Sequence, residues 1–192
     1  IEVQHHKAHL AAVLAENKLM DTEDPVLGII WDGTGYGEDR QIWGSECFLY
    51  ANRKMERVSH LEYFPSWMGD KMSREPRISA VAITEYPDIH KDKFTEMEWQ
   101  YYRKLLRNKP EVMTSSMGRF LDGIASILGI CHHNTYEGEA TMKLEAAAIK
   151  YADRPSAFYN VRITASEEEN ETENLPLKIR WKPMITEILE DL

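Results

Sequence analysis

The hydrophobic pattern changes period once along the chain. Residues 26–32, 45–51 and 55–64 alternate or bunch in the manner of strands, with glycine-rich or polar stretches between them. From residue 74 onward, apolar residues recur at helical spacing. The runs are REPRISAVAITEY (74–86), TEMEWQYYRKLLRN (95–108), TSSMGRFLDGIASILGI (114–130) and EGEATMKLEAAAIKYA (137–152). A three-strand meander followed by helices confines the chain to an α/β or α+β arrangement of packed layers. Ahead of the strands, residues 5–19 read as a helix with Leu10, Val13 and Leu14 on one side. VLGIIWD (26–32) reads as a buried strand, GTGYGEDRQIWG (33–44) as a glycine-rich turn, and ASEEENETENLP (165–176) as a solvated acidic loop.

The 192 residues suit one large domain or two small lobes, and 43% hydrophobic content supports a packed core. The net charge of -9 argues against a broad nucleic-acid footprint. No apolar run approaches the ~18 residues of a membrane span. Two cysteines, Cys47 and Cys131, make no disulfide framework, and with no signal-peptide pattern a reducing cytoplasm is the natural setting. The chain opens on Ile1 and enters a helix at once, and TEILEDL closes it inside another, so it reads as a piece of something longer.

VQHHKAHLAAVLAEN (3–17) carries three histidines in five positions. His5 and His9 stand one helical turn apart on one face and can chelate one transition metal, zinc, iron or nickel. His6 points about 100° away and is the poorer partner. A solvated helix start explains the same residues. The absence of an H-E-x-x-H glutamate disfavours a zinc peptidase.

IIWDGTGYG (29–37) ends a strand on an aspartate followed by glycines. Gly33, Thr34 and Gly35 offer backbone amides and a hydroxyl to phosphate oxygens, and Asp32 could hold a metal. The pattern is neither a Walker A loop nor G-x-G-x-x-G, and a plain hairpin turn fits it too. GDKMSREPR (69–77) could clamp an anion or simply begin a helix. Asp122, among apolar neighbours, needs a cap, an arginine or a ligand hydroxyl. Gly138, between two acids, sits at a helix start where acids can read a ribose diol or cap the helix. Cys131, His132 and His133 read as a loop, and Cys47 as a small core residue.

VQHHKAHLAAVLAEN, DGTGYGEDRQIWGSE (32–46), GDKMSREPRISA (69–80), TSSMGRFLDGIASILGI and NTYEGEATMKLE (134–145), in this order, resemble the hydrogenase-maturation carbamoyltransferases of the HypF family. The match lies in their C-terminal domain, which is similar to tRNA threonylcarbamoyl-transferases and to antibiotic O-carbamoyltransferases. It covers most of residues 1–150. The resemblance implies a two-lobe actin/Hsp70-like ATPase fold, ribonuclease H-like and truncated at both ends. Residues 1–65 would give a helix and β-meander with the metal and phosphate loop. Residues 66–192 would give a mainly helical nucleotide-binding part of the same domain.

By matching position, the resemblance makes His5, His9 and Asp32 metal ligands and catalytic residues. It assigns Gly33, Thr34 and Gly35 to phosphate, Asp122 to ribose and Gly138 to adenosine. The implied cofactors are ATP or carbamoyl adenylate and a divalent metal, zinc or iron. A YrdC-like domain of the same full-length chain would make the adenylate. The carbamoyl group would pass to the C-terminal cysteine of a HypE-like acceptor, so neither cysteine here need be the nucleophile. A further metal-binding aspartate of a DGG-type motif is expected beyond Leu192, and first-lobe strands before Ile1. The chain by itself is not expected to turn over. An O-carbamoyltransferase for a small molecule, a non-catalytic actin-like nucleotide-binding module and a structural metal protein are the alternatives. A tRNA-modifying homologue fits less well, because its phosphate loop reads Ser-Gly-Gly where this chain has Asp-Gly-Thr-Gly.

Overall fold

The computed structural model describes residues 2–85, 87–108, 110–153, 158–165 and 176–192. Helix α1 (His5–Glu16) begins on Gln4, whose side-chain oxygen accepts the Lys7 amide. The chain then forms the expected meander of β1 (Val26–Tyr36), β2 (Ile42–Ala51) and β3 (Lys54–Leu61), paired antiparallel. α1 lies across it, burying Leu10 and Leu14 against Trp43, Phe48 and Tyr50. Each such aliphatic side chain is worth about 1.5–3 kcal/mol of burial.

β1 departs from expectation twice. Leu27, Ile29 and Trp31 are exposed, Trp31 at 69%. α1 covers only one face of the strand, so alternate residues stand on the open face. Gly33 to Tyr36 also continue the strand instead of turning, and the reversal falls at Gly37–Gln41, closed by the Gly37 amide on the Gln41 carbonyl at 2.8 Å. Within β1 the register slips. Trp31 faces Ser45 and Gly35 faces Trp43, so Asp32, Gly33 and Thr34 bulge out of the ladder.

The helical half contains α2 (Asp70–Arg74), α3 (Pro76–Ile83), a 3₁₀ segment (Pro87–Lys93), α4 (Glu96–Arg107), α5 (Met117–Ile127), α6 (Glu139–Lys150) and α7 (Lys182–Glu190). Residues 74–86 do not form one helix. Pro76 drives Glu75 out of the helical region, so the helix breaks and restarts. α4 opens on the Thr95–Glu98 capping box and α5 on Ser116. α3 is buried at all eight positions. It packs so closely on α5 that a Cβ at Gly123 would lie 2.6 Å from Ile83.

Four short strands escape hydrophobic periodicity: β4 (Phe64–Pro65), β5 (Met113–Thr114), β6 (Arg162–Thr164) and β7 (Leu177–Arg180). β5 runs parallel to β2 and β7 parallel to β3, so segments on either side of residue 65 share one sheet. Most of the acidic stretch at 165–176 lies outside the described residues. No helix among the described residues is long and apolar enough to cross a membrane.

Candidate functional site

The β1 bulge carries Asp32 to the start of α1. His5 Nε2 lies 3.0 Å from Asp32 Oδ2 and 3.1 Å from His9 Nε2. His9 Nε2 is 3.8 Å from the same carboxylate oxygen. The three donor atoms fall within 4.8 Å of one another. Both rings are about half exposed, so the cluster opens to solvent. Two imidazole nitrogens so close can share only one proton, and the carboxylate faces both. A nitrogen and oxygen donor set of this kind fits a divalent transition metal.

His6 stands outside this cluster, as its rotation about the helix axis implies. It is fully buried, yet its Nε2 stands 3.4 Å from Asp32 Oδ2. The 100° rotation turns it under the bulge, and the bulge brings Asp32 over it. Burial lowers its pKa below the ordinary 6.5, against the opposing charges of Glu46 and Asp32. Gly35 is placed by this ring: a Cβ there would lie 2.4 Å from His6 Cε1.

On the other side of the bulge a cleft of about 750 Å³ opens between the sheet and the helices. Gly33, Thr34, Arg74, Arg119, Glu137 and Gly138 are among the residues that line it. Gly33 and Gly138 have open space where a side chain would stand. Gly138 adopts φ +77° at the start of α6. The Gly33 amide is taken by Asp32 Oδ1 at 2.6 Å, so the Thr34 hydroxyl and two guanidinium groups are what fit a nucleotide's phosphates. Glu139 does not read the cleft. It accepts from the Thr135 amide at 2.5 Å and pairs with Lys143 at 2.6 Å.

Two expected nucleotide residues stand elsewhere. Gly35 belongs to the histidine side, as its contact with His6 requires. Asp122 is fully buried behind Arg119, whose Nη2 is 2.9 Å from its Oδ2. Helical i,i+3 spacing makes this pairing. Burial raises the Asp122 pKa while Arg119 opposes the shift. In the charged window, Asp70 and Arg74 reach the cleft, but Arg77 turns into the core, pairing with Glu75 at 2.6 Å and Glu98 at 2.9 Å. Cys131, His132 and His133 form a loop: the Cys131 thiol donates to the His133 carbonyl, and His132 Nδ1 contacts Ser126. Cys47 is half-buried.

Glu46 was not singled out by any motif. Fully buried in β2, it meets Arg57 Nε at 2.5 Å and accepts from Ser115 Oγ and the amides of Gly44 and Ser45. Arg57 lies 3.9 Å over the Trp43 ring and reaches Asp39 and Tyr63. Next along the chain, Ser116 Oγ donates to the Gly33 carbonyl at 2.6 Å and accepts from the Arg119 amide. This chain of contacts fixes the Gly33 wall of the cleft to the sheet and to α5. An acid within a strand was the only sequence signal, and strand acids are more often exposed.

Residues 28–192 match the family described as carbamoyltransferase, Kae1-like domain, second subdomain. The chain belongs to the HypF carbamoyltransferase family. It is 31% identical to carbamoyltransferase HypF of Synechocystis sp., over 97% of this chain and 26% of that protein. It is 38% identical to HypF of Rhodobacter capsulatus, over 77% of this chain and 21% of that protein. Crystal structures of full-length HypF in a phosphate- and nucleotide-bound form and of T. kodakarensis HypF each superpose with a TM-score of 0.77, at 28% and 31% identity. Each covers 100% of this chain, which spans 24% and 25% of those chains. The mixed α/β architecture is the Kae1-like carbamoyltransferase fold. The chain spans about a quarter of the length of its HypF relatives.

Proposed function

We propose that this part of a HypF-type carbamoyltransferase holds the metal and the nucleotide end of carbamoyl adenylate during transfer to the C-terminal cysteine of a HypE-like acceptor. One observation carries the reading. The bulge that presents Asp32 to His5 and His9 continues directly into Gly33 and Thr34 on the cleft wall. Metal and phosphate would therefore meet at adjacent residues.

His5, His9 and Asp32 would hold a divalent ion, zinc or iron. When bound, it would supply Lewis-acid polarisation at an oxygen where charge builds up. Thr34 offers its hydroxyl to the phosphate, Gly33 leaves room for it, and Arg119 and Arg74 balance its charge. Asp122 serves by holding Arg119 rather than by touching ribose, while Glu137 stands on the cleft wall near Gly138. The acceptor's thiolate attacks the carbamoyl carbon, a C–S bond forms, and the C–O bond to AMP breaks. The thiolate comes from outside, consistent with the engaged, buried Cys131 and the strand-bound Cys47. A YrdC-like domain of the full-length protein would supply the adenylate, in the cytoplasm.

Calorimetric titration of ATP, with and without zinc, tests this. Binding that strengthens with zinc, and loses that dependence in His5→Ala, is the expected result. Binding indifferent to zinc and to His5 would instead favour a nucleotide module without transfer chemistry.

A further inference from the structure

His6 lies outside the three-residue metal cluster, yet its fully buried ring brings Nε2 to 3.4 Å from Asp32 Oδ2. Its protonation pattern follows from neighbours. The Lys7 amide donates to Gln4 Oε1 at 3.0 Å, which identifies the other amide atom of Gln4 as nitrogen. That Nε2 points at the Tyr36 carbonyl, an obligate acceptor, at 3.2 Å. The Gln4 amide is thus oriented twice over, and its Nε2 donates to His6 Nδ1 at 3.0 Å. A neutral imidazole that accepts at Nδ1 carries its proton on Nε2. The Nε2–H is buried and finds no aligned partner among the described residues. Asp32 Oδ2 stands 3.4 Å from that nitrogen.

The Asp32 carboxylate is thereby approached from two sides by the protein. Its Oδ1 accepts the Gly33 amide at 2.6 Å, and its Oδ2 faces the His6 Nε2–H and the open histidine pair. The ring is held by stacking 6.4 Å from Trp43 and by the bare Gly35 backbone. We propose that His6 is a positioning residue whose Nε2–H donates to Asp32 Oδ2 and holds that carboxylate for metal binding, through the relay Lys7 amide, Gln4, His6, Asp32. Gly35 is glycine because this ring occupies the place of its side chain. The proposal rests on the metal reading of His5, His9 and Asp32. Outer partners of this kind are worth about 10–100-fold in metal affinity.

The test uses cobalt(II) as the probe, following its visible absorption and its heat of binding to the 192-residue chain. The wild type should bind one cobalt, and His5→Ala should lose it. His6→Phe, which fills the same space without a donor, should bind about 10–100-fold more weakly with altered absorption. His6→Gln, which keeps an N–H near the Nε2 position, should recover most of that loss. Wild-type affinity and spectrum in His6→Phe, alongside loss in His5→Ala, would overturn the His6 role and leave the metal reading intact. No cobalt binding by the wild type would overturn both. A wild-type measurement guards against failure of the variants to fold. Nitrogen-15 NMR of the imidazoles should show His6 protonated on Nε2, with that proton shifting when zinc is added. A proton on Nδ1, or an Nε2–H indifferent to zinc, would overturn the relay.

Discussion

Asp32 and Asp122 each precede a glycine and each was marked as a ligand-binding carboxylate, but their surroundings are opposite. Asp32 keeps 28% of its side chain exposed and faces three imidazoles and a backbone amide. Asp122 is fully buried, with the Arg119 guanidinium at 2.9 Å and Thr141 at 3.5 Å. A carboxylate with its own permanent cation inside the fold is committed to structure. One whose neighbours are imidazoles open to solvent retains lone pairs for a ligand. Asp122 still influences the cleft, but through the guanidinium it orients.

The strongest way to break this contrast is Asp122→Ala. Removing one member of a buried pair leaves the other uncompensated, at a cost of about 3–5 kcal/mol. Arg119 remains 19% exposed on the cleft side, so the lower end of that range is expected. Urea unfolding measures it. A loss below about 1 kcal/mol would mean that the pair contributes little and that Asp122 is available to a ligand after all.

Acid should weaken the helical half next. His90, in the 3₁₀ segment, is buried with neither ring nitrogen hydrogen-bonded among the described residues. Burial, aided by Lys93, lowers its pKa to about 4. The unfolded chain takes up this proton near pH 6.5 and the folded one only near 4. The contribution to stability is therefore full above 6.5 and is lost as pH falls toward 4, by roughly 3 kcal/mol. Urea midpoints between pH 7 and 4 should fall less steeply in His90→Leu than in the wild type. Parallel curves would show that His90 does not titrate this way. Buried His60, lowered to about 4 by burial and Arg57, adds the same sign of dependence to both proteins.

The meander, α1 and the helices from α4 to α6 were legible because each repeats a period over many residues or opens on a capping side chain, as Thr95 does for α4. The strands β4 to β7 were not. Two to four residues carry too little periodicity, and their pairing partners lie far along the chain. The i,i+4 histidines were readable from helix geometry alone. The contact between His6 and Asp32 was not legible because the bulge at Asp32 to Thr34 is invisible in a strand-and-turn reading, and without it the carboxylate would not stand over the ring. Glu46 was missed because its importance lies in Arg57 and Ser115, which are 11 and 69 residues away.

Gly44→Ala probes the seam between the two regions. A Cβ there would lie 2.6 Å from the Asp32 carbonyl oxygen and 2.7 Å from the Ser116 Cα, both backbone atoms that cannot rotate aside. Overpacking of this kind costs about 1–3 kcal/mol. Since the strain falls on the Asp32 bulge and on the cap of α5 together, cobalt binding should weaken along with stability. A destabilised variant with unchanged cobalt affinity would show that the bulge keeps its shape without this contact.

Asp32→Asn has the smallest expected effect on folding and so sharpens the contrast most. The asparagine oxygen can still accept the Gly33 amide, while its Nδ2 would face the buried His6 Nε2–H where a carboxylate oxygen stood. Its unfolding free energy should fall by about 1 kcal/mol, the lower end for a buried donor left without an acceptor, because the His6 Nε2–H is not aligned on Asp32 to begin with. Its cobalt affinity should fall by more than the 10–100-fold typical of an outer partner, because a donor oxygen itself is removed. The reverse outcome, a destabilised protein that still binds cobalt, would make Asp32 a structural carboxylate of the Asp122 kind. The histidine pair would then need a different third donor, and the metal reading would have to move away from the bulge.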